Sequence, residues 1–310
     1  MRPSIGRLVH VGNVLIDVVM EVPALPRPGG DVLAGASRIT PGGGYNVMVA
    51  SARQGLEVAY GGSHGTGLFG DLARARLAEA GISVLQEPTA GVDTGFDVAF
   101  VDDTGERTFV TATGAEAALT YEQLAGIGLR PDDAVYVSGY GLAYPANRDA
   151  LTRWLETLPR GTVVIVDPGP LVAEIPADVL GPALDRADWW SCNLDEAIAT
   201  TGHTDPEQAA MALARRTGRS GVVVRIGPAG CLLAMPGAEV LRVPAFDVRA
   251  VDSNGAGDAH VGVFVAGLAE GLSPARAALR ANAAAAIAVT RRGPATAPTR
   301  TDVDRLLDGA

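Results

Sequence analysis

Short apolar runs alternate with helix-like segments through most of the 310 residues, and this alternation constrains the fold more than any other feature. Residues 163–166 and 222–224 are apolar at every position, as is typical of strands that are covered on both faces. Helix-like segments between such runs end at glycines, for example Gly55 and Gly81. Chains that alternate strands and helices form parallel sheets with helices on both faces. The sequence therefore predicts an α/β fold with a doubly wound, mostly parallel sheet flanked by helices.

The predicted elements follow one another in a regular order. Strands are expected at residues 7–11, 57–60, 134–137, 162–166, 189–192 and 221–226. Helices are expected at residues 43–55, 69–80, 148–158 and 206–217, from residue 195, and over most of the chain after residue 256.

Two segments interrupt this order. Residues 13–40 are rich in proline and glycine, whereas residues 94–113 alternate apolar and polar side chains around the turn sequence DDTG at residues 102–105. Neither segment fits a strand–helix unit, and no linker or internal repeat divides the chain. We therefore expect a single domain over residues 1–310, with both segments forming a small β-rich lid on it.

Composition limits the possible partners and location. The formal net charge is −10, which disfavours binding to nucleic acid or to an anionic membrane surface. The N-terminal sequence MRPSIGRLVHVG has no apolar core typical of a signal peptide, and no apolar run is long enough to span a bilayer. The two cysteines, Cys192 and Cys231, lie in strand-like runs and are expected to be buried free thiols. We expect a cytoplasmic protein that has no membrane partner.

The sequence contains no lysine, since all 25 basic residues are arginines. This excludes a Walker A loop, a protein-kinase ATP-binding lysine and Schiff-base chemistry, each of which requires a lysine. The four histidines are scattered without the spacing of zinc ligands.

The sequence AVDSNGAGD at residues 250–258, followed by a helical run, is the strongest indication of chemistry. Its small residues allow the backbone to approach a ligand closely, and N–H groups at a helix N-terminus bind anions. Asp258 falls in the first helical turn, where a carboxylate also commonly acts only as a cap. A second carboxylate, Asp252, lies six residues upstream. A carboxylate base beside an anion site is the arrangement that phosphoryl transfer to a hydroxyl requires.

Four motifs, in the same order as in the family, resemble those of the ribokinase-like (PfkB) carbohydrate kinases, and the resemblance runs from about Leu8 to Leu307. DSNGAGD at residues 252–258 resembles the family signature D-[TS]-x-G-A-G-D, and PGGGYN at residues 41–46 resembles its glycine signature. NLDE at residues 193–196 resembles N-x-x-E, and GPAG at residues 227–230 resembles the G-x-x-G nucleotide turn. The resemblance implies an ATP-dependent kinase that phosphorylates a hydroxymethyl group of a sugar or a sugar-like substrate.

The resemblance also implies roles for individual residues. Asp258 would be the general base, and the N–H groups of Gly255, Ala256 and Gly257 would stabilise the phosphoryl group in transfer. The residues implied to bind the sugar are Asp17, Gly43 and Asn46. Those implied to border the nucleotide are Asn193, Arg225, Gly227, Gly230 and Asn282, with Asn282 near the adenine.

Metal sites and an oligomeric state follow from the same resemblance. Glu196 and Asn193 would position Mg²⁺ through water, although the pair also fits a helix capping box. The residues that resemble the monovalent-cation site of many members, a K⁺ site, are Asp252, Ala288, Arg291 and Gly293. Lids often pair between two chains in this family, so a homodimer through the lid is implied.

Two departures from the family pattern disfavour D-ribose itself as the substrate. Leu15 stands where ribokinases carry an asparagine two residues before the sugar-binding aspartate, and the glycine signature lacks the lysine of ribokinases. On the lid, Arg107 is placed either to meet an acidic substrate or to be an ordinary exposed strand arginine. For His260, one helical step past the proposed base, we expect a packed or capping role.

Three alternatives stay open at this point. A nucleoside kinase of the same fold would need an apolar wall for the base, and the lid segments offer Phe96, Phe100 and Phe109. A catalytically silent sugar or nucleotide sensor would not need Asp258. The sequence GTGLFG at residues 65–70 fits the dinucleotide-binding pattern of a dehydrogenase, but it follows the second predicted strand and not the first.

Overall fold

The structure, a computed structural model, describes residues 5–104 and 106–309, so Gly105 of the expected turn lies outside the described residues. The strands of the described residues are, in chain order, β1 (Arg7–His10), β2 (Val14–Glu21), β3 (Ala36–Gly43), β4 (Glu57–Tyr60), β5 (Ser83–Val84), β6 (Phe96–Val101), β7 (Arg107–Ala112), β8 (Asp133–Ser138), β9 (Val163–Asp167), β10 (Trp189–Asn193), β11 (Gly221–Arg225), β12 (Cys231–Ala234) and β13 (Leu241–Val243).

The α-helices lie between these strands and after them. They are α1 (Tyr45–Arg53), α2 (Leu68–Glu79), α3 (Tyr121–Ala125), α4 (Gly139–Ala143), α5 (Pro145–Thr157), α6 (Ala177–Arg186), α7 (Leu194–Thr201), α8 (Pro206–Thr217), α9 (Ala256–Ala269), α10 (Pro274–Val289) and α11 (Arg300–Asp308). Within the described residues, no helix is both long enough and apolar enough to cross a membrane.

Nine of the strands form the central sheet, in the order β13-β12-β11-β10-β9-β8-β1-β4-β5. Neighbouring strands from β11 through to β5 run parallel, whereas β12 and β13 pair antiparallel at one edge. The predicted α/β class with a mostly parallel, doubly wound sheet is therefore confirmed. The antiparallel edge was not predicted. The connections from β11 to β12 and from β12 to β13 are too short to contain a crossover helix, so these strands pair antiparallel.

The inner strands of this sheet are mostly apolar between their ends because each face of the sheet packs against a layer of helices. One core contains alternate residues such as Val164 and Val222 together with Leu151 and Trp154 of α5. The other contains the intervening positions, such as Ile165, together with helices α1, α2, α9 and α10. Successive side chains of a strand point to opposite faces, so this division follows from the pleat.

The remaining four strands form a second sheet, in the order β3-β2-β6-β7, which we call the lid sheet. Its strands lie within residues 14–43 and 96–112, close to the expected lid segments 13–40 and 94–113. β2 pairs antiparallel with β3 and parallel with β6, and β6 pairs antiparallel with β7. The sheet is therefore built from two separate parts of the chain that meet along β2 and β6.

The register of the lid sheet places two rows of side chains on its two faces. Thr40, Asp17, Asp97 and Thr111 are aligned across the four strands and form the inner row. Ile39, Val18, Val98 and Val110 are aligned one residue away and form the outer row, on the opposite face. Asp17 and Asp97 line a large cavity, so the polar face of the lid sheet points inward.

Candidate active site

A cavity of about 1050 Å³ lies between the lid sheet and the carboxyl ends of the central strands. Asp167, Asn193 and Arg225, the last residues of β9, β10 and β11, line it. Ligands of open α/β sheets bind at this end of the strands. The residues expected from the sequence to be catalytic, to hold the sugar or to border the nucleotide line this single cavity; they are Asp17, Gly43, Asn46, Asn193, Glu196, Arg225, Gly227, Gly230, Gly255, Ala256, Gly257, Asp258 and Asn282.

Helix α9 begins at the cavity with an open N-terminus. Its N-cap residue is Gly255, at φ +74, and no side chain of the described residues caps it. A Cβ at this position would lie 1.9 Å from the carbonyl oxygen of Pro294, so only glycine fits there. The N–H groups of Gly257 and Asp258 belong to the first helical turn, where the helix supplies no acceptor. This turn can therefore bind an anion in the cavity.

Asp258 does not cap α9 but extends towards the sugar end of the cavity. Its Oδ2 accepts a hydrogen bond of 3.2 Å from Nδ2 of Asn46, in the first turn of α1. Burial, and then the charge of Asp167, raise the pKa of Asp258 to about 6, although Asn46 and Arg225 act in the opposite direction. The carboxylate is thus ionised at neutral pH, yet more basic than an ordinary aspartate, which suits a general base.

Two further carboxylates, Asp17 and Asp97, line the sugar end on the inner row of the lid sheet. Burial, followed by the charges of Asp97 and Asp258, raises the pKa of Asp17 to about 7. Burial raises the pKa of Asp97 to about 6. Oδ1 of Asp97 and Oδ1 of Asn46 are buried without a hydrogen-bond partner among the described residues. Such atoms are costly unless a ligand completes their hydrogen bonding.

His10, at the end of β1, adds a buried donor to the sugar end. Its Nδ1 accepts a hydrogen bond of 3.0 Å from the N–H of Gly12, and its ring stacks on Tyr136 with 4.9 Å between centroids. Burial lowers its pKa to about 3, so the ring is neutral. With Nδ1 accepting, the proton lies on Nε2, which has no acceptor within the described residues. The neutral ring can therefore donate to an oxygen of a ligand.

Glu196 and Asn193 close the N-terminus of α7 as a capping box. Oε2 of Glu196 accepts from the backbone N–H of Asn193 at 2.7 Å, and Oδ1 of Asn193 accepts from the N–H of Glu196 at 2.8 Å. Burial and the charge of Asp167 raise the pKa of Glu196 to about 7. The capping role that the sequence left as an alternative is therefore present in this structure, and both residues still line the cavity.

Among the described residues that line the cavity, Arg225 has the only positively charged side chain. Its Nη1 donates to Oδ2 of Asp167 at 3.0 Å and to Oγ of Ser191 at 2.7 Å, and its Nη2 lies 3.6 Å from Oε2 of Glu196. The same guanidinium lies beside the turn that opens α9, because a Cβ at Gly257 would be 3.5 Å from its Nε. Two carboxylates thus hold a cation next to the anion-binding turn.

The remaining residues that are expected to border the nucleotide form one end of the cavity. Gly227 and Gly230 flank a short 3₁₀ turn, both at positive φ, and a Cβ at Gly230 would clash with the carbonyl oxygen of Val243 at 2.1 Å. Nδ2 of Asn282 donates to the carbonyl oxygens of Val243 and Pro244, and its Oδ1 lies 3.1 Å from Nε2 of His260. Asn282 therefore joins α10 to this wall, and His260 is buried against it, as expected from the sequence.

The four residues that resemble a monovalent-cation site lie outside the lining of the cavity, on the far side of the loop before α9. Oδ1 of Asp252 accepts from Nη2 of Arg107 at 2.5 Å and from the N–H of Asn254 at 2.9 Å. Its Oδ2 accepts from the N–H of Gly293 at 3.0 Å. Arg107 is thus paired with Asp252, which is neither of the two roles considered from the sequence.

Sequence reasoning missed Asp97, His10 and Asp167. Asp97 lies in a segment that alternates like a half-buried hairpin, where a carboxylate is usually expected on the solvent side. Its alignment with Asp17 depends on the parallel pairing of β2 and β6, which are distant in sequence. His10 and Asp167 end the observed strands β1 and β9, within one residue of the ends of the predicted strands, and that position at the carboxyl edge of the sheet was the available signal.

The glycine-rich sequence at residues 65–70 has no free anion site. Gly67 precedes α2, and the carboxylate of Asp93 accepts hydrogen bonds from the N–H groups of Phe69 and Gly70 at 3.1 and 2.8 Å. A side chain of the protein itself therefore occupies the position that a pyrophosphate takes in a dinucleotide-binding fold.

Comparison with known proteins identifies the family of the chain. The model of the pfkB family carbohydrate kinases matches residues 6–301. The chain belongs to the pfkB family of carbohydrate kinases. Its relatives include the uncharacterised sugar kinase YegV of Escherichia coli, with 34% identity over 94% of this chain and 91% of that protein. They also include an ATP-dependent ribose-1-phosphate kinase of Halopiger xanaduensis, with 31% identity over 97% of this chain and 98% of that protein.

A solved structure agrees with the family assignment. The ribokinase of Thermotoga maritima superposes on this pfkB-family kinase with a TM-score of 0.82 and 26% identity, covering 98% of this chain and 99% of that one.

Proposed function

We propose that this kinase transfers the γ-phosphoryl group of ATP to a hydroxymethyl oxygen of an uncharged, polyhydroxylated sugar. The observation that carries the proposal is the position of Asp258. Its carboxylate lies in the open first turn of α9, with an anion site on one side and Asn46 of the sugar end on the other. A base and an anion site that meet in one cavity are what phosphoryl transfer to an alcohol needs.

In the proposed reaction, Asp258 accepts the hydroxyl proton of the acceptor as the alcohol oxygen forms a bond to the γ-phosphorus. The bond between that phosphorus and the bridging oxygen breaks, and its electron pair leaves with ADP. The N–H groups of Gly255 and Gly257 stabilise the charge on the phosphoryl oxygens in transfer, whereas that of Ala256 donates to the carbonyl oxygen of Ser253 at 3.3 Å in this structure. The sugar is held by Asp17, Asn46 and the backbone at Gly43.

The proposed nucleotide site is bordered by Asn193, Arg225 and the turn from Gly227 to Gly230, with Asn282 supporting its far wall. Among the described residues there is no cluster of three or more His, Cys, Asp or Glu side chains that could hold a metal. The residues fit a Mg²⁺ ion that arrives with the nucleotide, because magnesium commonly binds phosphates and water with few protein ligands. Glu196 and Asn193 would hold its waters, and the ion would neutralise charge on the phosphates.

The side chains of the sugar end support an uncharged acceptor. Asp17 and Asp97 are acceptors with no cation in direct contact among the described residues that line the cavity, and His10 is neutral. Of the two lid arginines nearby, Arg107 donates to Asp252. Arg38 donates to Glu21 at 3.4 Å and does not line the cavity, although its charge lowers the pKa of Asp17. Carboxylates attract hydroxyl donors and repel a phosphate or carboxylate of the substrate.

The experiment that tests this function measures ADP release from ATP–Mg²⁺ with a panel of acceptors. The panel contains neutral pentoses and hexoses, sugar acids, ribose 1-phosphate and nucleosides, with ATP alone as the background. We expect turnover with a neutral sugar and none above background with the anionic acceptors. Preferred turnover of ribose 1-phosphate or of a sugar acid would contradict the substrate class. Nucleotide binding without turnover of any acceptor would indicate a sensor.

A nucleoside acceptor is a second candidate because Phe109 of the lid lines the cavity with 51% of its surface exposed. An exposed aromatic ring of this kind can stack on a nucleobase. The nucleosides in the panel distinguish the two candidates. A value of kcat/KM that is higher for a nucleoside than for every free sugar would favour the second.

We also propose that two copies of this kinase pair through the outer face of the lid sheet, in the cytoplasm. Ile39 and Val110 of the outer row are 56% and 62% exposed, although they lie on a continuous apolar row. An apolar face of this kind commonly marks an interface. Sedimentation of the wild type beside Val110→Asp tests the pairing, and a monomeric wild type would contradict it.

A further inference from the structure

The loop that precedes the anion-binding turn is held by a cation from the lid. Asp252 begins this loop, and Arg107 is the first residue of β7, at the edge of the lid sheet. The side chain of Asp252 is 9% exposed and that of Arg107 is 21% exposed, so water has little access to their contact. The 2.5 Å distance between Nη2 and Oδ1 indicates a charge-assisted hydrogen bond.

The carboxylate of Asp252 is surrounded by donors of the protein. Besides the hydrogen bond from Arg107, Asp252 accepts hydrogen bonds from the N–H groups of Asn254 and Gly293, so donors engage both of its oxygens. Burial alone would raise the pKa of Asp252, but the N–H groups of Asn254 and Gly293 and the guanidinium of Arg107 lower it below its ordinary value. The group therefore stays ionised, and three donors of the protein compensate its charge.

The other residues of the family's cation site are also unsuited to an ion here. The carbonyl oxygen of Ala288 accepts from the N–H of Arg291 at 3.0 Å and from Oγ1 of Thr296 at 3.3 Å, which uses both lone pairs. Gly293 donates its N–H group to Asp252 and so supplies one of the three donors that already surround this carboxylate. The residues present therefore do not fit a bound monovalent ion.

We propose that the guanidinium of Arg107 takes the place of a bound monovalent cation beside the anion-binding turn, so that this kinase works without K⁺. Arg107 is a positioning residue, because it acts on the turn through Asp252. Asp252 accepts a hydrogen bond from the N–H group of Asn254, and Asn254 is followed by Gly255, the N-cap of α9. β7 pairs with β6, which carries Asp97. The same lid strands thus face the sugar and hold the loop that binds the phosphoryl group.

The first test compares monovalent salts at equal ionic strength, and it rests on the proposed kinase function. Turnover of the wild type is measured in KCl, NaCl and choline chloride with the acceptor that the panel identifies. We expect the three values of kcat to agree within about twofold, since no ion-binding site has to be filled. A saturable activation by KCl of about tenfold or more would overturn the proposal.

The second test replaces the cation of the protein. Arg107→Gln removes the charge and keeps a side chain that can still hydrogen-bond, and Arg27→Gln removes the charge of an exposed arginine in the other lid segment, residues 13–40. We expect Arg107→Gln to lower kcat about tenfold or more, with KM for ATP changed less than about threefold. Millimolar guanidinium should restore part of the loss. Arg27→Gln should behave as the wild type, and an unaltered kcat in Arg107→Gln would overturn the proposal.

A third measurement does not need turnover and separates this inference from the kinase proposal. The unfolding temperature of the wild type should be the same in KCl and choline chloride. Arg107→Gln should make the segment around β7 more sensitive to limited proteolysis, because the lid loses its contact with Asp252. A stabilisation of the wild type that is specific to K⁺ and saturates, or equal proteolysis of the two proteins, would contradict the role of Arg107 whether or not an acceptor has been found.

Discussion

The strands of the central sheet are buried on both faces, whereas those of the lid sheet have one apolar and one polar face. In the central sheet, both faces pack on helices, and the polar residues at the carboxyl ends of β1, β9, β10 and β11 line the cavity. In the lid sheet, the polar row with Asp17 and Asp97 faces the cavity, and the outer row with Ile39 and Val110 is partly exposed. We call the central sheet and its helices the body. From this difference we expect the body to determine the chemical step and the lid sheet to determine which acceptor binds.

The sharpest test of this division is Asp258→Asn, in the body of the protein. The amide cannot accept the proton of the acceptor, yet it can still contact Asn46. We expect kcat to fall by about 10²- to 10⁴-fold, with KM for the sugar and for ATP within about threefold of the wild type. Steady-state ADP release measures both constants. Turnover that survives in the variant would show that the base is another group.

The anion-binding turn of α9 should be the next most sensitive feature of the body. In Gly255→Ala, a Cβ is forced to positive φ and against the carbonyl oxygen of Pro294. We expect kcat to fall by about 10²- to 10³-fold, as when an oxyanion donor is misplaced. Gly271→Ala is the matched control, since Gly271 has φ +78 but its Cβ would meet nothing within 4 Å. Equal losses in the two variants would mean that backbone strain, and not the turn, causes the effect.

The lid should show the opposite kinetic pattern. Asp97→Asn keeps the shape of the side chain but removes a charged acceptor, and a hydrogen bond to a charged group contributes about 1.5–3 kcal/mol. We expect KM for the sugar to rise about 10- to 100-fold, with kcat lowered less than about tenfold. Thr111→Val, on the same inner row, is the control, because it removes only a neutral hydroxyl. A fall in kcat with an unchanged KM would contradict the assignment of Asp97 to substrate binding.

The two sheets also differ in how far the sequence could predict them. The central sheet and its helices can be predicted from hydrophobic periodicity and apolar runs, because a strand that is buried on both faces is apolar at most of its positions. The body residues Asp258, Asn193 and Arg225 stand in local motifs, and the structure brings them to one cavity as the motifs imply. The glycine at position 255 likewise belongs to a short loop whose spacing is readable without the fold.

The lid could be predicted as strands but not as a face of the site. Alternation shows which residues share a face, yet it does not show that the polar face turns inward. Asp97 and Arg107 gain their partners, Asp17 and Asp252, from segments that are 80 and 145 residues away in sequence. The parallel pairing of β2 with β6 brings Asp97 beside Asp17, and the contact of the lid sheet with the loop before α9 brings Arg107 to Asp252; neither has a local signal.

The pH dependence of kcat/KM should separate the carboxylates of the two regions. In the proposed reaction, Asp258 and Asp17 both act in their ionised forms, and their pKa values are about 6 and about 7. We expect kcat/KM to be constant above pH 8 and to fall as pH decreases, first through about 7 and then more steeply below about 6. Asp17→Asn removes the first step, so its residual activity should fall only below about pH 6. A wild-type profile that is flat between pH 5 and pH 8 would contradict both assignments.

The smallest effects should appear in stability, where the two sheets can be compared by the same substitution. Val223 in β11 is fully buried, so Val223→Ala should lower the free energy of unfolding by about 2 kcal/mol through lost burial and a cavity. Val110 in β7 is 62% exposed, and Val110→Ala should change the same quantity by less than about 0.5 kcal/mol. Urea unfolding at low protein concentration measures both. If Val110→Ala lowers the free energy of unfolding at high protein concentration but not at low concentration, a second copy buries the exposed face of the lid sheet. The two sheets then differ less in burial than a single chain indicates.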